Sequence, residues 1–185
     1  SAASDVYKRQ PYNNCARPKD IAKNPGGSNL TSRHYGCYKA HTDAILSCSS
    51  SFTDYFLFFE ADAVLTCSPE VFLNKADEAY KICRKYGYNF FSFGAVNNPD
   101  KVYSDHVSSK KLFEAHAYLI PAERIKYVQE QIKYKNWDVF DLWVSDVMDK
   151  QRIGFFKEPL CHQAKGESLI DKIFSEKNYL GIDKI

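Results

Sequence analysis

The chain has no run of apolar residues near the roughly 20 that a membrane-spanning helix needs, and Ser1–Gln10 carries no apolar core of the signal-peptide kind. Its six cysteines include no C-x-x-C pair, which argues against a zinc ribbon. Charge of one sign is missing too. The 25 basic and 23 acidic residues are mixed along the chain, with none of the basic blocks that track nucleic acid and no acidic tail. Neither glycine-rich phosphate loop is present, G-x-x-x-x-G-K-S/T or G-x-G-x-x-G. If phosphates bind here, a metal ion must carry them. No internal repeat and no low-complexity segment occurs.

Apolar and aromatic residues are plentiful, at 44% and 15%, which gives one domain an ample core. Cys37, Cys48 and Cys83 fall on helical patterns, where cysteine serves as a small hydrophobe. The cysteines read as reduced thiols, with an oxidising compartment as the alternative. Residues 1–10 join no pattern and read as a non-native leader. Residues 11–185 read as a single domain, beginning with a Pro-, Asn-, Gly- and Ser-rich loop to residue 32.

The organising stretch is Tyr55-Phe-Leu-Phe-Phe-Glu60-Ala-Asp62-Ala-Val64. Its apolar run predicts a central strand of a parallel sheet, buried on both faces. Glu60 and Asp62 follow at the carboxyl end, where open α/β sheets bind ligands. In an extended chain positions i and i+2 point the same way, and paired carboxylates repel unless a cation or a proton lies between them. Oxygen ligands suit Mn2+ or Mg2+. The plainer alternative is a pair of solvated acids after a core strand.

Around this stretch the pattern predicts a helix from Ser32 or Arg33 to Cys48. A second starts at Ser68-Pro69-Glu70 and stops at Gly87. Strands are expected at Asn89–Phe93, Leu112–Ile120 and Ile153–Phe156. Helices are expected from Pro121 to Tyr134, from Trp137 to Met148 and from Ser168 to Lys177, and a polar loop over residues 100–111. The alternation gives an α/β fold with a sheet at least partly parallel.

Five segments in order resemble the lipopolysaccharide-type (family 25) glycosyltransferases and their small relatives, over roughly residues 33 to 175. Gly36-Cys37-Tyr-Lys-Ala-His41 is similar to the helix before the family's acidic motif. Phe58-Phe59-Glu60-Ala61-Asp62 is similar to its strand ending in E-D-D. His116-Ala-Tyr118-Leu-Ile120, Asp141-Leu-Trp-Val144 and His162-Gln163-Ala-Lys165-Gly166-Glu-Ser168 resemble later motifs. The resemblance implies a GT-A fold, a Rossmann-like, mostly parallel sheet flanked by helices that holds a nucleotide-sugar donor through Mn2+ or Mg2+. It implies a glycan or protein hydroxyl as acceptor, and inversion at the sugar. Ala61 replaces the middle acid and Ala40 a serine, and only loop-like sequence precedes residue 33, so the chain reads as lacking its first strand and helix.

In that frame Asp62 is the first metal ligand, Glu60 a second ligand or a ribose contact, and His162 a third ligand or an ordinary histidine. Asp141, then Asp138, are the candidate bases for the acceptor hydroxyl, and either serves equally as a helix cap. His41 would hold the strand end or touch the nucleotide. His116 is structural or lines the acceptor cleft. Lys165 and Ser168, near a predicted helix start, would meet phosphate oxygens. The rival readings are a non-catalytic relic of such an enzyme and a metal-dependent phosphohydrolase. The latter lacks a second acidic cluster for a two-metal site. Such enzymes work in the bacterial cytoplasm or the eukaryotic secretory lumen, and the chain itself has no membrane span.

Overall fold

The computed structural model describes residues 6–8, 32–49, 52–96, 98–112, 115–135, 138–148 and 153–164. Seven strands form one mixed sheet: β1 (Val6–Lys8), β2 (Tyr55–Phe59), β4 (Phe90–Ser92), β5 (Lys101–Val102), β6 (Val107–Ser109), β7 (Ala117–Pro121) and β8 (Ile153–Phe155). Their spatial order is β1-β2-β7-β4-β8-β6-β5. A separate two-stranded ribbon pairs β3 (Ala63–Leu65) with β9 (Cys161–Gln163). The helices are α1 (Ser32–Ser47), α2 (Pro69–Tyr86), α3 (Ile125–Tyr134), entered through a 3-10 turn at Ala122–Arg124, and α4 (Phe140–Met148).

The α/β class holds, but the sheet is not mostly parallel. Only β1/β2 and β4/β8 run parallel, while β2/β7, β4/β7, β6/β8 and β5/β6 are antiparallel. Residues 93–116 contain no helix among those described and form β5 and β6. β7 then inserts between β2 and β4, antiparallel to both. Residues 100–111, expected as a loop, hold this hairpin, with Val107, Ser108 and Ser109 buried. Val6–Lys8, within the segment read as a leader, pairs in parallel with Leu57–Phe59.

α2 follows its sequence signals closely. The Ser68 hydroxyl accepts from the Val71 amide at 3.3 Å, Pro69 opens the helix, and Gly87 ends it at φ +75 with its amide on the Cys83 carbonyl. Its stripe of Phe72, Ala76, Ala79, Ile82 and Cys83 lies on one face of the sheet with Leu57, Phe91, Leu119 and Phe156. The other face carries Phe56, Phe58, Phe90, Tyr118 and Ile120 beneath α1, α3 and α4. Alternation along β2, β4 and β7 thus feeds two cores from one sheet. Gly154 in β8 is needed for close approach, since a Cβ there would stand 2.5 Å from the Phe91 ring. Predicted Leu112–Ile120 shortens to β7, and predicted Trp137–Met148 starts at Phe140. The last predicted helix lies outside the described residues.

Candidate metal centre

Glu60 follows β2 directly, and its backbone amide donates to the His116 carbonyl at 2.8 Å. That bond extends the β2/β7 ladder by one step and holds His116, at the amino end of β7, opposite Glu60. The His116 Nδ1 lies 2.7 Å from Glu60 Oε2. From the helical layer, His41 Nε2 lies 3.0 Å from Glu60 Oε1, and the Cys37 thiol donates toward the same oxygen at 3.8 Å. Cys37 and His41 are four residues apart on α1, so both look down on the strand end.

The surroundings fix His41 tightly. Its Nδ1 lies 3.0 Å from the hydroxyl of fully buried Tyr118, and its ring stacks on Phe140 at 4.0 Å. The side chains of His41, His116 and Glu60 are only 6%, 11% and 12% exposed. With Glu60 ionised, neutral tautomers suffice. His41 donates Nε2–H to Oε1 and accepts the Tyr118 proton at Nδ1, while His116 donates Nδ1–H to Oε2. Buried charge then has charge-assisted partners on both oxygens.

Asp62 reaches the cluster by a turn and not by strand alternation. The Ala63 amide donates to the Glu60 carbonyl at 3.1 Å and folds Ala61 and Asp62 back over the strand end. Asp62 is exposed. Gln163 of β9 donates Nε2–H to its Oδ2 at 2.8 Å, and the Ala164 amide donates to its carbonyl at 2.8 Å.

Two sets of ligand atoms emerge among the described residues, each within 4.8 Å of one another: Cys37, His41 and Glu60, and Glu60, Asp62 and His116. The second set offers two carboxylates and an imidazole, and the first a thiol, an imidazole and a carboxylate.

Of the residues singled out in the sequence, Glu60, Asp62, His41 and His116 meet here. His162 does not. It pairs with Val64 on the ribbon, is exposed, and stands outside both sets. Its neighbour Gln163 faces Asp62 instead, because successive residues of a strand point to opposite sides. Asp138 and Asp141 also stand outside both sets. Asp138 accepts from the Val139 amide at 2.7 Å, and its charge opposes the burial that pushes the His34 imidazole below its usual range. Asp141 sits in the first turn of α4, beside the Phe140 ring that covers His41. Lys165 and Ser168 lie outside the described residues.

Cys37 and His116 are the ligand atoms that sequence reasoning passed over. The i, i+4 spacing of Cys37 and His41 was a usable signal for the first. The sequence marked His116 within a motif but not as a ligand, because its place opposite Glu60 depends on β7 running antiparallel to β2. The described cysteines, Cys37, Cys48, Cys67, Cys83 and Cys161, carry no disulfide, and no described helix is long and apolar enough to cross a membrane. No family model matches this chain, and no curated protein matches it.

Proposed function

We propose that this chain is a metal-dependent glycosyltransferase domain of GT-A type that moves a sugar from a nucleotide sugar to a glycan or protein hydroxyl. The observation that carries the reading is the convergence of Glu60, Asp62 and His116 at the carboxyl end of β2. That is a three-ligand set at a strand end in a chain with no glycine-rich phosphate loop. The motif resemblance around Glu60 and His41 supplies the reaction class.

In this reading Glu60, Asp62 and His116 hold Mn2+, which when bound would neutralise the charge gathering on the leaving diphosphate. His41 and Tyr118 hold the Glu60 carboxylate in one orientation, so little reorganisation is needed when ligand arrives. Gln163 does the same for Asp62 from the ribbon. Asp141, at the start of α4, is assigned the acceptor proton.

Calorimetric titration of UDP into the protein, with and without Mn2+, tests this. Binding that requires Mn2+ and is lost in Asp62→Ala is the expected result. Binding of UDP with equal affinity in both proteins, or none by the folded wild type with Mn2+ present, would overturn it.

A further inference from the structure

Glu60 belongs to both ligand sets. Its Oε2 faces His116, while its Oε1 faces His41 and Cys37 of α1. The two sets also differ in chemistry. The outer one offers carboxylates and an imidazole. The inner one adds a thiol, a soft ligand that Mg2+ and Mn2+ do not favour and that Zn2+ and Co2+ do.

We propose that Cys37, His41 and Glu60 form an inner site for a thiophilic divalent ion such as Zn2+, separate from the Mn2+ set and bridged to it by the Glu60 carboxylate. Bonds of about 2.0–2.1 Å to nitrogen or oxygen and about 2.3 Å to sulfur put tetrahedral ligand atoms about 3.3–3.6 Å apart. The observed 3.0 Å from His41 Nε2 and 3.8 Å from Cys37 Sγ to Glu60 Oε1 bracket that span. Among the described residues the site offers three ligands, the number that open zinc sites take from the protein.

The support behind His41 also fits. A metal-bound histidine keeps its other ring nitrogen hydrogen-bonded, which fixes its tautomer and raises its basicity. Tyr118 is in place for this. On ion entry the His41 proton moves from Nε2 to Nδ1, and Nδ1–H then donates to the Tyr118 oxygen in place of accepting from it. The imidazole stays neutral, and the Cys37 thiol releases its proton to solvent, so one proton leaves for each ion bound. Phe140, stacked on the His41 ring, prevents the ring from swinging away. The site stands whether or not the chain transfers a sugar.

Co2+ is the probe. Wild-type protein should bind one equivalent with a thiolate-to-cobalt charge-transfer band in the near ultraviolet. Asp62→Ala should keep the band, and Cys37→Ser should lose it while retaining Mn2+-dependent UDP binding. Tyr118→Phe should keep the band but weaken Zn2+ by about 10–100-fold, the usual cost of removing a ligand's supporting hydrogen bond. A wild-type complex without the band, a band that survives Cys37→Ser, or one that vanishes in Asp62→Ala would overturn the proposal. A check that needs no substitution is alkylation of Cys37 by iodoacetamide, followed by peptide mass. Saturating Zn2+ should slow it at least about tenfold, as expected for a thiolate held by metal, and an unchanged rate would overturn the proposal equally. The readouts are spectroscopic and chemical, so a failure of UDP binding leaves them interpretable.

Discussion

Two buried histidine clusters in this protein are built in opposite senses. At the far edge of the sheet, His106 is the hub. Its Nδ1 meets Asp105 Oδ1 at 2.7 Å, its Nε2 meets the Tyr88 hydroxyl at 3.1 Å, and the rings of Tyr86, Tyr88 and Tyr103 surround it. The acid there is 42% exposed and the imidazole is wholly buried. At the end of β2 the carboxylate is the hub, and two imidazoles and a thiol converge on it. Around His106 both nitrogens are spent on fixed partners that hold the β5–β6 hairpin to Tyr88, so nothing is left to face a ligand. Around Glu60 the ligand atoms point at one another across a few ångströms, with an exposed carboxylate at the mouth. A histidine with its carboxylate is therefore not enough to mark a site. What separates the two is whether several donors aim at a common point.

That contrast can be broken most sharply at Asp62. Asp62→Ala should weaken Mn2+-dependent UDP binding by more than the 10–100-fold lost with a supporting group, with almost no change in melting temperature because the side chain is exposed. His106→Ala should do the reverse. It removes a buried ring and two hydrogen bonds, costing about 2–4 kcal/mol, or roughly 4–16 °C in Tm by thermal melts, with UDP affinity unchanged. Equal effects of both substitutions on UDP binding would dissolve the distinction.

Smaller effects sharpen it. Gly154→Ala drives a methyl into the rings of Phe91 and of Tyr88, a member of the His106 cluster. Overpacking of this kind costs about 1–3 kcal/mol by denaturant titration, with metal binding unchanged. Acidification gives a further test at His34, whose imidazole burial pushes below its usual range. The unfolded chain then takes up the proton first, so stability should fall as pH drops below about 6.5. His34→Gln should flatten that part of the Tm profile. The smallest effect is expected at Asp105, held below the usual carboxylate range by its hydrogen bond to His106. Its contribution is present above the unfolded value and lost as pH falls through the lower folded one. Asp105→Asn should therefore cost well under about 1 kcal/mol at neutral pH, because the group is largely exposed, and nothing in strong acid.

The local signals in the chain were read directly. Ser68, Pro69 and Gly87 bound α2 where capping chemistry puts them, and the Tyr55–Phe59 run is a buried strand with Glu60 at its carboxyl end. The i, i+4 spacing that puts Cys37 and His41 on one helical face was equally available. Other features had no local marker. The short strands β3, β5, β6 and β9 carry too few residues for a period to register, and His106 and Val107 look like loop residues until the hairpin docks. His162, the third ligand expected from the sequence, gives way to its neighbour Gln163 at Asp62, because successive strand residues point to opposite sides.

By itself the sequence determined the bounds of α2, the apolar faces of the long elements, and that a carboxylate pair follows a core strand, because those depend on side chains a few positions apart. Only the tertiary structure decided that β7 runs against β2. That antiparallel pairing brings His116, some 56 positions along the chain, to Glu60 and sets the candidate ligand cluster at the strand end.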